Sequence, residues 1–90
     1  MIEISPSPSF NRAYNKKVKV RKEIEEKYWK CIEIFINDPF DRRLKTHKLS
    51  GKLSGLWSFT VGLDIRVIFF FSENNQKAIF IDIGKHDEVY

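Results

Sequence analysis

The chain has 90 residues, of which 42% are hydrophobic, and it carries 16 Lys and Arg against 12 Asp and Glu. That length makes a single domain, residues 1–90, with a thin core, and the composition excludes a disordered chain. A lone cysteine excludes an internal disulfide and no segment reaches the length of a membrane span, so a reduced, cytoplasmic chain with no membrane partner is the simplest account.

The net charge of +4 is unevenly spread. No acid occurs from Ile4 to Lys22 or from Arg42 to Leu63, and both stretches are rich in Lys and Arg. Two such blocks suit a polyanion or an acidic protein partner. The bland alternative for the first block is a solvated helix face.

Residues 2–4 read as a short edge strand. "SPSPSF" breaks it and offers Ser5 and Ser7 as helix caps, with Pro8 suited to a first turn. Phe10, Tyr14 and Val18 follow at spacing four, which predicts a helix ending near Val20. A second helix is predicted from about Arg21 to Ile36, with Ile24, Tyr28, Cys31, Ile32 and Phe35 on one apolar stripe. Tyr14, Tyr28 and Trp29 read as helix packing. "NDP" at 37–39 ends the helix, because a residue before proline is pushed out of the helical region.

The period then changes to two. "LWSFTVG" puts Trp57, Phe59 and Val61 on one side and Ser58, Thr60 and Gly62 on the other. "DIRVIFFF" is the near-continuous apolar run of a central strand covered on both faces. "SENNQ" is a turn and "KAIFIDIG" a further strand. The expected fold is α+β, in the order β-α-α-β-β-β, with a helical hairpin packed on a small, mostly antiparallel sheet. Arg66, inside the apolar strand, must either pair with a carboxylate such as Asp64 or Asp82 or face an open groove.

The side chains able to carry chemistry are His47, Lys48, Lys52, Asp64, Arg66, His86, Asp87, Glu88 and Tyr90. Cleaving RNA through its own 2′-hydroxyl needs a proton acceptor, a proton donor for the leaving 5′-oxygen, and a cation at the phosphorus. Histidine suits the first two roles. Arg and Lys suit the third. An exposed Tyr or Trp suits stacking on a base. No cofactor and no metal is called for, because the two His are far apart in the chain and Cys31 sits on the core stripe. Taken singly, each of these residues has an ordinary structural reading: surface histidine, ion-pair arginine, solvated lysine, turn aspartate.

Together, "THKLSGKLSGLWSFTVGLDIRVIFFF" and "IDIGKHDEVY" resemble the RelE/ParE superfamily of toxins, and within it the RelE/StbE and YafQ-like mRNA interferases. The shared pattern covers residues 46–90, and the helical hairpin before it agrees in layout. The resemblance implies a toxin of a type II toxin–antitoxin system that cuts mRNA on the ribosome without a metal. It implies His86 as the catalytic histidine, Tyr90 as the aromatic supporting it, and His47 and Asp64 as further site residues. It also implies Arg66 as the phosphate-stabilising arginine of the central strand. Lys48 and Lys52, with Arg43 and Lys45 from the same basic block, are the candidates for holding the RNA backbone. An antitoxin that wraps the toxin with an acidic or amphipathic segment is implied as partner, alongside ribosome and mRNA. The chain departs from the pattern at Thr60, where the YafQ-like branch has a further histidine, and at His86, where RelE has an arginine. Two other readings stay open: a ParE-like toxin that binds DNA gyrase without cutting RNA, and an inactive binding module of the same fold.

Overall fold

The computed structural model describes residues 1–90. Strand β1 (Glu3–Pro6) leads into helices α1 (Pro8–Lys17) and α2 (Lys22–Asn37). A loop with two 3₁₀ turns, Arg42–Leu44 and Gly51–Leu53, carries the two-residue strand β2 (His47–Lys48). Strands β3 (Trp57–Val61), β4 (Ile65–Ser72) and β5 (Lys77–Lys85) follow, and the four-residue helix α3 (His86–Val89) closes the chain. The five strands lie in the order β1-β5-β4-β3-β2. β3, β4 and β5 form an antiparallel meander, because their links are short. β1 joins the outer edge of β5 in parallel, since the helical hairpin returns the chain across the sheet.

The expected α+β layout is the one observed, with two additions, β2 and α3. α1 stops three residues before the predicted end. Val18 is its C-cap, the Val18 and Lys19 N–H groups both donate to the Tyr14 carbonyl, and Val20 is exposed. At its start the Ser7 hydroxyl accepts from the Phe10 N–H at 3.1 Å, with Pro8 in the first turn.

The core lies between the helical hairpin and one face of the sheet. Phe35 of α2 is its hub: the ring stands 5.1–5.4 Å from those of Phe59, Phe69 and Phe80, and all four are fully buried. Tyr28 and Ile32 bury the same α2 stripe, while Ile24 and Cys31 lie at its margin. Burial pushes the Cys31 thiol up. The helix-packing reading holds for Tyr14 and Tyr28, whose rings meet edge to face at 5.2 Å. It fails for Trp29, which lies against Tyr28 but is 54% exposed.

One irregularity controls the opposite face. Ile68 pairs with Asp82, but the next residue, Phe69, pairs with Phe80, so Ile81 is an extra residue in β5. Such a bulge reverses the side-chain parity of everything beyond it. Ala78 and Phe80 point into the core before it and Ile83 after it. Asp82 and Gly84 are thereby turned to the face away from the hairpin, in register with Ile68 and Arg66. The Asp82 carboxylate accepts from the Ile83 N–H at 2.8 Å, tying off the bulge locally.

Candidate active site

The face away from the hairpin carries two rows across the strands. His47, Ser58, Ile68 and Asp82 form one by direct pairing, and Thr60, Arg66 and Gly84 form the other. α3 folds back over β4 and β5 on this side. Ile68, on this face, is 3% exposed though it lies outside the main core. β4 is thus covered on both faces at its centre, as its apolar run suggests.

Where α3 leaves part of this face open, Leu63, Asp64, Arg66, Lys85, His86 and Asp87 line a depression of about 330 Å³. Of the two fates open to Arg66, the groove is the observed one. Its guanidinium makes no ion pair with Asp64 or Asp82, and Nη1 donates at 3.3 Å to the carbonyls of Leu63 and Ile65. Those carbonyls leave other donors of the guanidinium fork uncommitted, the form in which arginine takes a phosphate. Gly62 turns the chain from β3 toward β4 with φ +67°, a conformation that suits glycine, and Leu63 and Asp64 follow it at the rim.

The histidine arrives by a separate route. β5 ends at Lys85, and α3 begins at His86. The Lys85 N–H donates to Glu88 Oε1 at 2.7 Å, closing the first turn. Asp87 and Glu88 lie in that turn, where the helix dipole favours acids. The Tyr90 N–H donates to the His86 carbonyl at 3.1 Å, and the two rings meet edge to face at 4.4 Å and 89°. The Tyr90 hydroxyl donates to Ser58 Oγ at 2.5 Å. Tyr90 is therefore held by its hydroxyl and against the His86 ring, while 40% of the residue stays exposed.

The remaining candidates stand apart from the depression. His47 is exposed on β2, directly across from Ser58, with Nδ1 3.1 Å from the Lys45 carbonyl. It lies one strand beyond the point where Tyr90 is anchored. Lys48 pairs opposite Trp57 and sits 5.7 Å from its ring centroid, beside an aromatic cluster of Trp57, Phe40 and Phe71. Lys52 is exposed in the second 3₁₀ turn, and Lys45 holds a left-handed φ of 53° after the first. Arg43 is engaged: its guanidinium forks onto the Asp41 carboxylate at 2.9 and 3.0 Å. The Arg43 hydrogen bonds hold the Asp41 carboxyl down to about 2, and Asp41 in turn raises Arg43. Thr60, in the place of the missing histidine, donates its hydroxyl to the Leu44 carbonyl at 3.2 Å and so acts as a loop tie.

Ser58 and Lys85 stand at the candidate site although sequence reasoning did not single them out. Alternation had placed Ser58 on the non-core face, but its partner lies 32 residues later. No set of three or more His, Cys, Asp or Glu side chains is grouped as a metal site would require.

A hairpin on one face of a five-stranded sheet, with a strand arginine and a histidine following the last strand on the other, is the layout that the sequence resemblance implies. Solved structures agree on the fold. A copper-bound mutant toxin from Helicobacter pylori superposes with a TM-score of 0.81 at 18% identity, with 100% of each chain covered. YafQ from Escherichia coli gives 0.79 at 20% identity, covering 100% of this chain and 99% of that one. A YoeB/ParE toxin from Agrobacterium tumefaciens gives 0.78 at 21% identity, covering 94% and 99%. A search of curated protein sequences found no match. The profile of the family described as "Bacterial toxin of type II toxin-antitoxin system, YafQ" matches residues 2–90. The chain belongs to that family.

Proposed function

We propose that this toxin is a ribosome-dependent mRNA endonuclease whose centre is the depression between β4 and α3. The carrying observation is that Asp64, Arg66 and His86, separate in sequence, line one open cavity on the face opposite the core. Scission there runs by attack of the RNA 2′-oxygen on the adjacent phosphorus as its proton passes to a base. The P–O5′ bond breaks, and the 5′-oxygen takes a proton. The products are a 2′,3′-cyclic phosphate and a 5′-hydroxyl, with atoms and charge balanced and no redox partner.

His86 is the proton-transfer group. Arg66 faces the phosphate and stabilises the charge that builds on the five-coordinate phosphorus. Asp64, on the same rim, is the second group able to exchange a proton. Tyr90 orients the His86 ring. His47 and the basic loop residues Lys45, Lys48 and Lys52 lie outside the cavity, where they serve the flanking backbone. Arg43 contributes less, because Asp41 already occupies its fork.

An antitoxin is the second partner. The DinJ–YafQ complex from Escherichia coli has the same fold in its toxin, with a TM-score of 0.78. The acid-free stretches of this chain suit an acidic segment laid across it.

The test is to map 5′ ends of mRNA by primer extension in a translating extract and, separately, on the same RNA without ribosomes. Cuts confined to the translating sample are the expected result. Intact mRNA together with inhibited DNA supercoiling by gyrase would replace this reading with a ParE-like one.

A further inference from the structure

Resting on the nuclease reading above, we infer that Glu88, clamped by Lys17 across Gly84, is a positioning residue that sets His86 in the cavity. A four-residue helix has no intrinsic stability, since nucleation outweighs so few hydrogen bonds. Something outside it must hold His86 in place. The Tyr90–Ser58 bond anchors its far end. Its near end is held by a different set of groups.

Glu88 Oε1 accepts the Lys85 N–H at 2.7 Å, and Lys17 Nζ, from the last turn of α1, stands 3.8 Å from the same oxygen. One carboxylate thus joins the first turn of α3 to a helix from the other end of the chain. The join passes directly over Gly84. A Cβ at Gly84 would lie 2.8 Å from Lys17 Nζ, 3.0 Å from Glu88 Oε1 and 3.2 Å from Val89 Cγ1. Gly84 therefore has an ordinary backbone but a packing role: its bare Cα is the seat on which Lys17, Glu88 and Val89 meet. Gly84 also pairs with Arg66. The seat of the histidine helix and the phosphate-facing arginine are consequently fixed to one another through adjacent strands. The pair is partly exposed, its side chains 25% and 43% accessible, so its contribution to global stability is small. Its effect is on where a four-residue turn points.

The experiment compares Glu88→Ala, Glu88→Gln and Gly84→Ala with the wild type in two assays. The first is NMR on the free protein, reading Lys85 amide exchange and the cross-peaks between the His86 and Tyr90 rings. The second is mRNA cleavage in a translating extract. E88A should lose Lys85 amide protection and weaken the ring cross-peaks while the amides of β4 and β5 stay protected. Its cleavage rate should fall roughly 10- to 100-fold, the range expected when a catalytic group shifts by a fraction of an ångström to an ångström. E88Q keeps an amide oxygen for the Lys85 N–H but loses the charge that faces Lys17, so it should recover only part of both signals. G84A should behave like E88A. E88A cutting at the wild-type rate, or losing activity only through global unfolding, would overturn the inference. A wild type that cuts no mRNA would remove the nuclease reading and with it the positioning role, whereas the NMR readout would still report whether the clamp holds the turn.

Discussion

The Tyr90 hydroxyl lies 2.5 Å from Oγ of Ser58, a serine with no solvent exposure at all. The last residue of the chain thereby supplies the partner of a buried polar group in the middle of the sheet. Tyr90→Phe should leave that hydroxyl unsatisfied and lower stability by about 1–2 kcal/mol. For a domain of this size that is a fall in Tm of about 4–8 °C per kcal/mol. Adding Ser58→Ala should recover much of the loss, because two absent partners leave nothing unpaired. Thermal denaturation of the two single variants and the double variant checks this. A double variant as unstable as the sum of the singles would show that the two residues do not interact.

Arg66 should divide activity from stability. Its guanidinium bonds only to two carbonyls near its own backbone. Arg66→Ala should therefore shift Tm little while lowering cleavage about 10²- to 10³-fold, as removal of a transition-state donor does. Arg66→Lys should rescue poorly, since a point charge does not reproduce the planar fork. Single-turnover cleavage beside calorimetry on the same samples separates the two effects.

Tyr14 gives the protein an alkaline limit. Burial, then its hydrogen bond to the Glu25 carboxylate, pushes the phenol from 10.0 up to about 12, and burial raises Tyr28 as well. The raised value belongs to the folded state, so the unfolded chain releases the proton first as pH climbs. Stability from this group is complete below pH 10 and is lost between pH 10 and about 12. Urea midpoints should fall through that window in the wild type, and less steeply in Tyr14→Phe. An identical slope in both would refute the assignment.

Asp41 behaves in the opposite sense. Its carboxyl is held at about 2 against an ordinary 3.8, chiefly by Arg43. Its carboxyl carbon resonance should titrate near 2 in the wild type and return toward 3.8 in Arg43→Ala. Asp41→Asn should free the Arg43 fork and raise RNA-backbone affinity at low salt, an effect that high salt abolishes.

Much of the fold is legible in the sequence because its periods are clean. The α2 stripe, the alternation of β3 and the apolar run of β4 each declare an element and its buried side. Lys48 and Trp57 mark where the reading stops, since a two-residue strand has no period to detect. The bulge at Ile81 is hidden for a related reason: Ile79, Ile81 and Ile83 are all isoleucine, so hydrophobicity alone cannot show the parity change. Part of the candidate site is legible as chemistry, in Arg66 and His86. Its assembly is not, because the contacts that build it join Lys17 to Glu88 and Ser58 to Tyr90, pairs that no local pattern connects.

The most direct measurement is primer-extension mapping of mRNA in a translating extract with wild-type protein and with folded His86→Ala. If the cavity is the nuclease centre, the wild type produces ribosome-dependent cuts and the variant, with an unchanged Tm, loses them by about 10²-fold or more. Cuts that persist at the wild-type rate in His86→Ala would contradict the assignment of catalysis to this cavity's histidine.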